Sequence, residues 1–219
     1  MIAERPWAAV FDLDGTLVNS EPRSQAAWRR VFASHGVPAD EALIKSFAGR
    51  RGTDVLAELA HAFPGQELRS LIAEAQEIVA TATDPAIPPV TPVPGAAALV
   101  RRIHRRGCPL GLVTSARRRY AERTLAVGGL LGLFAAVVTA EDVAVGKPDP
   151  EGFRRASAML AVPPARCVAF EDSPAGVAAA TAAGMTCVGV ATTHAPAELA
   201  AAHRVVADLT AVGWPVRIP

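Results

Sequence analysis

Short apolar runs that alternate with helical patterns organise most of this sequence. Each run is roughly five to seven residues long and ends in turn or polar residues, as buried strands do. The runs cover residues 7–13, 110–114, 136–139, 167–171 and 186–190, with a weaker one at 204–206. Alanine-rich stretches with helical character lie at 95–106, 117–127, 150–160 and 175–182. This alternation predicts right-handed crossovers and an α/β fold with a parallel sheet covered on both faces.

One interval, residues 20–83, breaks the alternation, because it contains only amphipathic helical patterns. It leads into a segment with five prolines between residues 85 and 94. Such a segment cannot form a helix interior and favours an extended, semi-rigid connection. We therefore predict a core built from residues 1–17 and 90–219, with a helical domain, residues 18–89, inserted after the first strand.

Composition and charge exclude several classes of protein. The 219 residues carry 22 Lys+Arg against 21 Asp+Glu, which gives no electrostatic reason to expect nucleic acid or an anionic membrane as a partner. Three cysteines without CxxC spacing indicate neither a disulfide framework nor a structural zinc site. The N-terminus resembles no secretory signal, and no apolar run is long enough to span a membrane. We expect a soluble, cytoplasmic protein.

The first predicted strand ends in two aspartates, Asp12 and Asp14, which are followed by Gly15. Ligands of open parallel sheets bind beyond the carboxyl ends of the strands, and alternation along an extended chain puts both side chains on one side. Two such carboxylates repel each other unless a hard divalent cation such as Mg²⁺ binds them. A carboxylate can also act as a nucleophile toward phosphorus. An ordinary turn, in which Asp and Gly are common, is the alternative interpretation.

Two later segments offer groups that suit an anion. Thr114 and Ser115 follow the second strand, where a hydroxyl and backbone N–H groups can cradle an anion or simply cap the next helix. Lys147 lies between Gly146 and Pro148, just before another helix; apart from Lys45 it is the only lysine in a chain that otherwise uses arginine. A lysine retained there indicates that a compact ammonium holds a phosphate or carboxylate, although a surface lysine needs no such explanation.

A fourth strand end carries two adjacent acids, Glu171 and Asp172, before Ser173 and Pro174. Capping of the following helix accounts for one acid, since Asp or Ser before proline is a common helix start. It does not account for both. The fuller interpretation is that Asp172 completes a metal site with Asp12, while Glu171 is a second ligand or supports the ligands.

In this order, and all near the carboxyl ends of strands, these motifs resemble those of the haloacid dehalogenase superfamily. Within it, the chain is similar to the helical-cap subgroup of sugar and polyol phosphatases and β-phosphoglucomutase. The resemblance covers nearly the whole chain, including the helical insertion. It implies a Rossmann-like doubly wound parallel sheet with an inserted all-helical cap domain.

The resemblance also implies a role for each matching residue. Asp12 would attack phosphorus to form an aspartyl-phosphate, and Asp14 would be the general acid for the leaving alcohol and then the general base for water. The phosphoryl oxygens would be held by Thr114, Ser115 and Lys147. The cofactor Mg²⁺ would be held by Asp12, Asp14 through its carbonyl, Asp172 and Glu171. The implied enzyme is a Mg²⁺-dependent phosphatase that hydrolyses a small phosphorylated sugar or polyol.

Three positions depart from the pattern of β-phosphoglucomutase. Ser24 stands where those mutases carry a histidine four residues before a tryptophan, here Trp28, and Gly52 aligns with an arginine that binds their second phosphate. Thr16 is the phosphatase-like residue where mutases usually have valine. These departures favour hydrolysis, with the mutase as the alternative and a non-catalytic binding module as a more distant one.

Three arginines complete the predicted site. Arg50 and Arg51 lie beside Gly52 and could replace the missing arginine of the cap loop. Arg117 could meet a second anionic group on the substrate, or belong to a solvated helix face. The predicted partner is a small phosphate monoester, with neither nucleic acid nor membrane, and the protein is expected to be a monomer or a weak homodimer.

Overall fold

A parallel sheet of six strands forms the centre of the computed structural model, which describes residues 7–47, 50, 52–81 and 84–216. The strands of the described residues are β1 (Ala8–Phe11), β2 (Val18–Asn19), β3 (Thr91–Pro92), β4 (Leu110–Val113), β5 (Ala136–Val138), β6 (Cys167–Glu171), β7 (Thr186–Val190) and β8 (Arg204–Val206). All of them except β2 and β3 belong to the six-stranded sheet. The α-helices are α1 (Glu21–Ser34), α2 (Glu41–Lys45), α3 (Gly52–Glu58), α4 (Leu68–Thr81), α5 (Ala96–Arg105), α6 (Arg118–Val127), α7 (Glu151–Met159) and α8 (Pro174–Ala182). None of these helices has the length and apolar character needed to cross a bilayer.

The strand order confirms the predicted doubly wound α/β fold. The large sheet runs β5-β4-β1-β6-β7-β8, and every neighbouring pair is parallel. The chain builds outward from β1 through β4 to β5, and then returns to the other side of β1 for β6, β7 and β8. The order therefore reverses between β1 and β6, and such a reversal opens the crevice in which α/β proteins bind ligands.

Alternation along β1 divides the core into two layers. Phe11 packs in a cluster with Ile103 of α5 and Leu125 of α6. Its neighbour Val10 packs in a second cluster with Phe153 of α7. Because helices cover both faces, the strands are apolar along their length and polar side chains are left to the strand ends.

Residues 21–81, which we call the helical segment, have an apolar cluster of their own. It joins α1, α2, α3 and α4, and its buried members lie between residues 28 and 75. Trp28 stacks on Phe47 with ring centroids 4.2 Å apart, and Phe32 meets Phe63 edge-on at 5.2 Å. Aromatic packing of this kind stabilises the four short helices against one another.

A two-stranded antiparallel ladder joins the entry to the helical segment with the exit from it. Val18 of β2 pairs with Pro92 of β3, and Asn19 pairs with Thr91. The proline-rich connection was predicted to be extended, but the pairing of its end was not, because strands of two residues leave no period to detect. Arg23 of α1 also donates to the carbonyl of Pro88 at 3.1 Å, which ties the connection to the first helix.

Candidate active site

Strand register brings acidic residues of β1 and β6 together at the carboxyl edge of the sheet. Phe11 pairs with Phe170, and the Asp12 N–H donates to the Phe170 carbonyl at 3.0 Å. The next residues along these strands, Asp12 and Glu171, therefore lie close together, with Asp172 following. Side-chain oxygens of Asp12, Glu171 and Asp172 lie within 4.8 Å of one another, and all three residues are buried. We call these three residues the carboxylate cluster.

Lys147 binds two members of the carboxylate cluster. Its Nζ donates to Asp12 Oδ1 at 2.5 Å and to the Val113 carbonyl at 3.3 Å, and it forms an ion pair with Glu171 Oε1. Burial alone would lower the pKa of Lys147, but the carboxylates of Asp12 and Glu171 outweigh it and raise that pKa above its ordinary value. The buried ammonium therefore stays charged at neutral pH.

The loop before α7 fixes the position of Lys147. The Glu151 carboxylate accepts hydrogen bonds from the N–H groups of Ala144 and Val145, each at 3.0 Å. Asp149 Oδ1 accepts from the Glu151 N–H at 2.8 Å. These bonds hold the loop on both sides of Lys147, so its side chain enters the carboxylate cluster from a rigid turn.

The three acids of the carboxylate cluster face one ammonium group, so burial and mutual repulsion act against ionisation of Asp12. Burial, assisted by Glu171 and Asp14, raises the pKa of Asp12 to about 8 against the opposing effect of Lys147. Its Oδ2 is buried and has no hydrogen-bond partner among the described residues. An unsatisfied buried oxygen in a cluster of three carboxylates and one ammonium fits a bound cation, and an all-oxygen donor set suits a hard divalent ion such as Mg²⁺.

Hydroxyl groups from two loops hold the carboxylate of Asp172. Thr16 Oγ1 donates to Asp172 Oδ1 at 3.2 Å, and Thr193 Oγ1 donates to Oδ2. Burial, followed by the charges of the other two cluster members, raises the pKa of Asp172. Gly15 has a φ of 87°, and a Cβ at that position would overlap the Asp172 carboxylate. Position 15 therefore requires glycine for two reasons: its φ is positive, and the Asp172 carboxylate lies where a Cβ would be.

The acids at the end of β6 do not cap α8, because Ser173 does. Ser173 Oγ accepts from the Gly176 N–H at 3.1 Å, and both the N–H and the hydroxyl of Ser173 donate to Glu171 Oε2 at 3.0 Å. The helix-capping alternative thus accounts for neither acid. Since Glu171 Oε1 pairs with Lys147, both of its carboxylate oxygens already have protein partners. Glu171 is therefore better suited to hold Lys147 in place than to bind a metal ion directly.

Asp14 lies in a different environment, although only one residue separates it from Asp12. It is half-buried, and its Oδ1 accepts from Ser20 Oγ at 2.5 Å and from the Tyr120 hydroxyl at 2.9 Å. Burial raises the pKa of Asp14, and the two hydrogen bonds oppose that rise. Two neighbouring carboxylates held in such different surroundings can carry different chemical roles.

All three predicted phosphate-binding residues line one small cavity. Thr114, Ser115 and Lys147 all line a space of about 20 Å³. Thr114 Oγ1 accepts from the Ala116 N–H at 3.0 Å and does not cap α6, which begins only at Arg118. The alternative interpretation of Thr114 as a helix cap is therefore wrong.

Two of the three predicted arginines, Arg50 and Arg117, are described by the structure, and both lie at the surface. Arg50 pairs with Glu58 of α3 on the surface of the helical segment. Arg51 lies outside the described residues. Arg117 is exposed at the start of α6, where its charge acts on Glu141. The structure thus supplies a surface partner for Arg50 and a solvent-exposed position for Arg117.

Sequence reasoning missed three groups that hold the acids, Ser20, Tyr120 and Thr193. Tyr120 lies on α6, and nothing in the local pattern marks it, because its contact with Asp14 spans 106 positions of sequence. Thr193 follows β7 in the polar segment Thr192, Thr193, His194. A polar segment at another strand end was a usable signal, because the same rule pointed to Thr114 and Asp172.

Comparisons with known proteins agree with this geometry. The family profile of the haloacid dehalogenase-like hydrolases matches residues 8–184. The chain is 44% identical over 207 residues to a validoxylamine A 7'-phosphate phosphatase of Streptomyces hygroscopicus subsp. limoneus, covering 94% of this chain and 96% of the relative. It is 35% identical to hexitol phosphatase A of Escherichia coli (strain K12), covering 86% and 83%. It is 32% identical to a β-phosphoglucomutase of Bacillus subtilis (strain 168), covering 84% and 82%.

Proposed function

We propose a reaction for this chain on the premise that it belongs to the haloacid dehalogenase-like hydrolase family and is a phosphatase of that family. The reaction is Mg²⁺-dependent hydrolysis of a small phosphorylated sugar or polyol through an aspartyl-phosphate on Asp12. One observation carries the proposal: a buried aspartate at a strand end, bound by a buried lysine through one oxygen and left without a partner at the other.

The phosphoryl group of the substrate would bind between Thr114, Ser115 and Lys147. The direct contact of Lys147 with Asp12 supports this assignment, as does the position of Thr114 just beyond β4, the neighbour of β1. Phosphoryl transfer depends mostly on positioning and on neutralising charge at the phosphoryl oxygens. An ammonium that also binds Asp12 does both, because it brings nucleophile and phosphoryl group to the same point.

Asp12 would attack phosphorus with a carboxylate oxygen. A bond forms between that oxygen and phosphorus, the bond to the leaving oxygen breaks with its electron pair, and Asp14 gives its proton to that oxygen. Water then attacks the aspartyl-phosphate, Asp14 takes a proton from the water, and phosphate leaves. The raised pKa of Asp14 supports the acid role, because a carboxyl group must hold a proton to donate one.

Mg²⁺ would be held by the carboxylates of Asp12 and Asp172 and the carbonyl of Asp14, with Glu171 holding Lys147 beside them. When bound, the ion would neutralise charge on the phosphoryl oxygens and on Asp12. The unpartnered Asp12 Oδ2 and the all-oxygen cluster support this role. Thr16 and Thr193 would orient Asp172 toward the ion.

A sugar or polyol substrate is supported by a polar pair at the start of α1. Gln25 Nε2 donates to Glu21 Oε1 at 3.1 Å, and burial followed by the charge of Asp14 raises the pKa of Glu21. Glu21 thus lies within range of the charge of Asp14, and its carboxylate would accept hydrogen bonds from substrate hydroxyls. The names of two relatives, a validoxylamine A 7'-phosphate phosphatase and a hexitol phosphatase, point to the same class of phosphate ester.

Hydrolysis is favoured over mutase activity by the surroundings of Gly52. A Cβ at Gly52 would lie 3.0 Å from Trp28 Cζ2, so an arginine there would require the indole to shift by a few tenths of an ångström. The nearby Arg50 is engaged by Glu58. We accordingly treat residues 18–89 as a cap domain that selects the substrate, over a core formed by residues 1–17 and 90–219.

A panel of phosphorylated sugars and polyols, assayed for phosphate release with Mg²⁺ and with EDTA, tests the proposal. We expect Mg²⁺-dependent release from at least one member. If no ester is hydrolysed, and β-glucose 1-phosphate is instead converted to glucose 6-phosphate in the presence of a bisphosphate primer, the mutase is correct. If neither reaction occurs, a non-catalytic binding function is correct.

A further inference from the structure

We propose that Tyr120 is a positioning residue that selects which carboxylate oxygen of Asp14 meets the substrate. The inference rests on the proposed function, in which Asp14 exchanges a proton with the leaving oxygen and then with water. It concerns a residue of α6 that carries no chemistry of its own in that reaction.

Two hydroxyl donors converge on a single oxygen of Asp14. The Tyr120 hydroxyl lies 2.9 Å from Asp14 Oδ1, and Ser20 Oγ lies 2.5 Å from the same atom. An oxygen that accepts two such bonds is a poor place for the carboxyl proton, since a hydrogen there would point at one of the donors. The catalytic proton of Asp14 is therefore carried on Oδ2, and Oδ2 is the oxygen that faces the substrate.

The two donors come from different parts of the molecule. Ser20 is the residue before α1 and so belongs to the entry of the helical segment. Tyr120 lies on α6, and its ring packs against the apolar cluster that contains Phe11 and Leu125. The Tyr120 hydroxyl is thus fixed to the sheet, whereas Ser20 Oγ is fixed to the start of the helical segment.

This difference gives Tyr120 a task that Ser20 cannot perform alone. A carboxylate bound by one donor can rotate about its terminal torsion, which is broad and roughly two-fold. A second donor on α6, which packs on the sheet, holds the carboxyl plane relative to Asp12 at the end of β1 and to Lys147, which binds Asp12. Proton transfer depends on such alignment, because small errors in the placement of a reacting group reduce the rate strongly.

Replacement of Tyr120 by phenylalanine removes only the hydroxyl. Two substrates separate positioning of the proton from a general structural defect: the alkyl phosphate that the wild-type protein hydrolyses fastest, and 4-nitrophenyl phosphate, whose leaving group needs no proton. We expect kcat/KM of Tyr120→Phe to fall about tenfold for the alkyl ester and less than about threefold for the nitrophenyl ester. A structural defect would lower both equally.

Ser34→Ala is the matched control. It removes a hydroxyl that donates to a carboxylate at a similar distance, 2.8 Å to Glu74, but in the helical segment away from the site. We expect kcat/KM of this variant to stay at the wild-type value for both esters. The double variant Ser20→Ala/Tyr120→Phe removes both donors and should lose more activity toward the alkyl ester than either single variant.

The outcomes separate this inference from the proposed function. If the wild-type protein hydrolyses both esters and Tyr120→Phe loses activity equally on the two, or on neither, the role of Tyr120 is wrong and the proposed function stands. If the wild-type protein releases no phosphate from either ester, the proposed function fails and the role of Tyr120 fails with it.

Discussion

The carboxyl edge of the sheet and the surface of the helical segment treat charged side chains in opposite ways. At the sheet edge, Asp12 and Lys147 are buried and paired directly. On the helical segment, Arg50 pairs with Glu58 and Arg29 with Glu41, and in each pair at least one partner is exposed. At the sheet edge, buried ion pairs hold the charged side chains in fixed positions. The helical segment is held together by its apolar cluster, and its charged side chains lie in solvent.

This contrast indicates where substitutions should have large effects. Removing one partner of a buried ion pair leaves an uncompensated charge and typically costs about 3–5 kcal/mol, while an exposed pair contributes about 0–1 kcal/mol. Chemistry is therefore expected to depend on a few buried residues at the sheet edge. Substitutions on the surface of the helical segment are expected to change stability little.

The largest expected effect is that of Asp12→Asn, which removes the proposed nucleophile and keeps the shape of the side chain. Turnover should fall below about one per cent of wild type, because the proposed covalent intermediate forms on Asp12 and an amide is a poor nucleophile. Steady-state phosphate release measures this, with circular dichroism to confirm folding. Residual activity above that level would contradict the role of Asp12.

Lys147→Arg should also be severely damaging, with kcat lowered about 100-fold. A planar guanidinium cannot occupy the compact space in which one ammonium meets Asp12, Glu171 and the Val113 carbonyl. The other lysine of the chain gives a matched control, since Lys45→Arg makes the same change on the exposed face of α2. If both variants keep wild-type activity, the buried lysine has no special function.

Gly15→Ala should weaken the binding of Mg²⁺ and lower the stability of the fold. A Cβ there would overlap the Asp172 carboxylate in a backbone conformation with φ of 87°, and strain of this kind costs about 1–3 kcal/mol. A magnesium titration of activity should show a raised half-saturating concentration, and thermal melting should show a lower Tm. Gly36→Ala is the control, because Gly36 also has a positive φ but has open space around it. If the two variants lose stability and Mg²⁺ affinity equally, the cause is backbone strain and not the contact with Asp172.

Without metal, the folded protein should lose stability as pH rises from about 4 to about 8. The pKa of Asp12 is raised from 3.8 to about 8, so the native state keeps a proton that the unfolded chain releases over this range. Since the native state binds more protons there, the free energy of unfolding falls with increasing pH. Asp14 and Asp172 shift in the same direction. Thermal melts in EDTA measure the slope.

Two changes should reduce that slope. Asp12→Asn removes the contribution of Asp12, and saturating Mg²⁺ should stabilise the ionised carboxylates. A metal-free melting temperature that stays constant or rises between pH 5 and pH 8 would contradict the electrostatic description of the sheet edge.

The smallest expected effect is that of Arg50→Ala in the helical segment. Because Arg50 pairs with Glu58 at the surface, its removal should change KM less than about threefold and Tm only slightly. Glu58→Ala should behave in the same way if the pair is the only role of Arg50. A rise in KM in Arg50→Ala that Glu58→Ala does not share would mean that Arg50 binds the substrate.

Much of the fold could be predicted from sequence because its signals are local. The six strands of the large sheet were predicted within two residues of their ends, since each is a short apolar run between helical patterns. The ladder of β2 and β3 could not be predicted, because each strand has only two residues and proline is uncommon in strands. Val18 pairs with Pro92 only once the fold brings these distant segments together. The bounds of α2 and α3 were equally hidden, because short helices within an amphipathic stretch leave little periodicity.

The candidate site divides in the same way. The sequence predicted Asp12 and Asp172 because each directly follows a strand of the sheet, and it predicted Lys147 because lysine is rare in this chain. Tyr120 and Thr193 hold Asp14 and Asp172 through contacts that no local pattern encodes. Partners of this kind are selected by packing, so they become visible only when the elements are assembled.

The most direct test of the account is the location of the phosphoryl group during turnover. The Asp14→Asn variant should accept a phosphoryl group from 4-nitrophenyl phosphate, whose leaving group needs no proton, and should release it slowly because the base for water is absent. After mixing and acid quenching, mass spectrometry of peptides should find the phosphoryl group on Asp12. A phosphoryl group on any other residue, or wild-type turnover with no phosphorylated peptide at any quench time, would contradict the account.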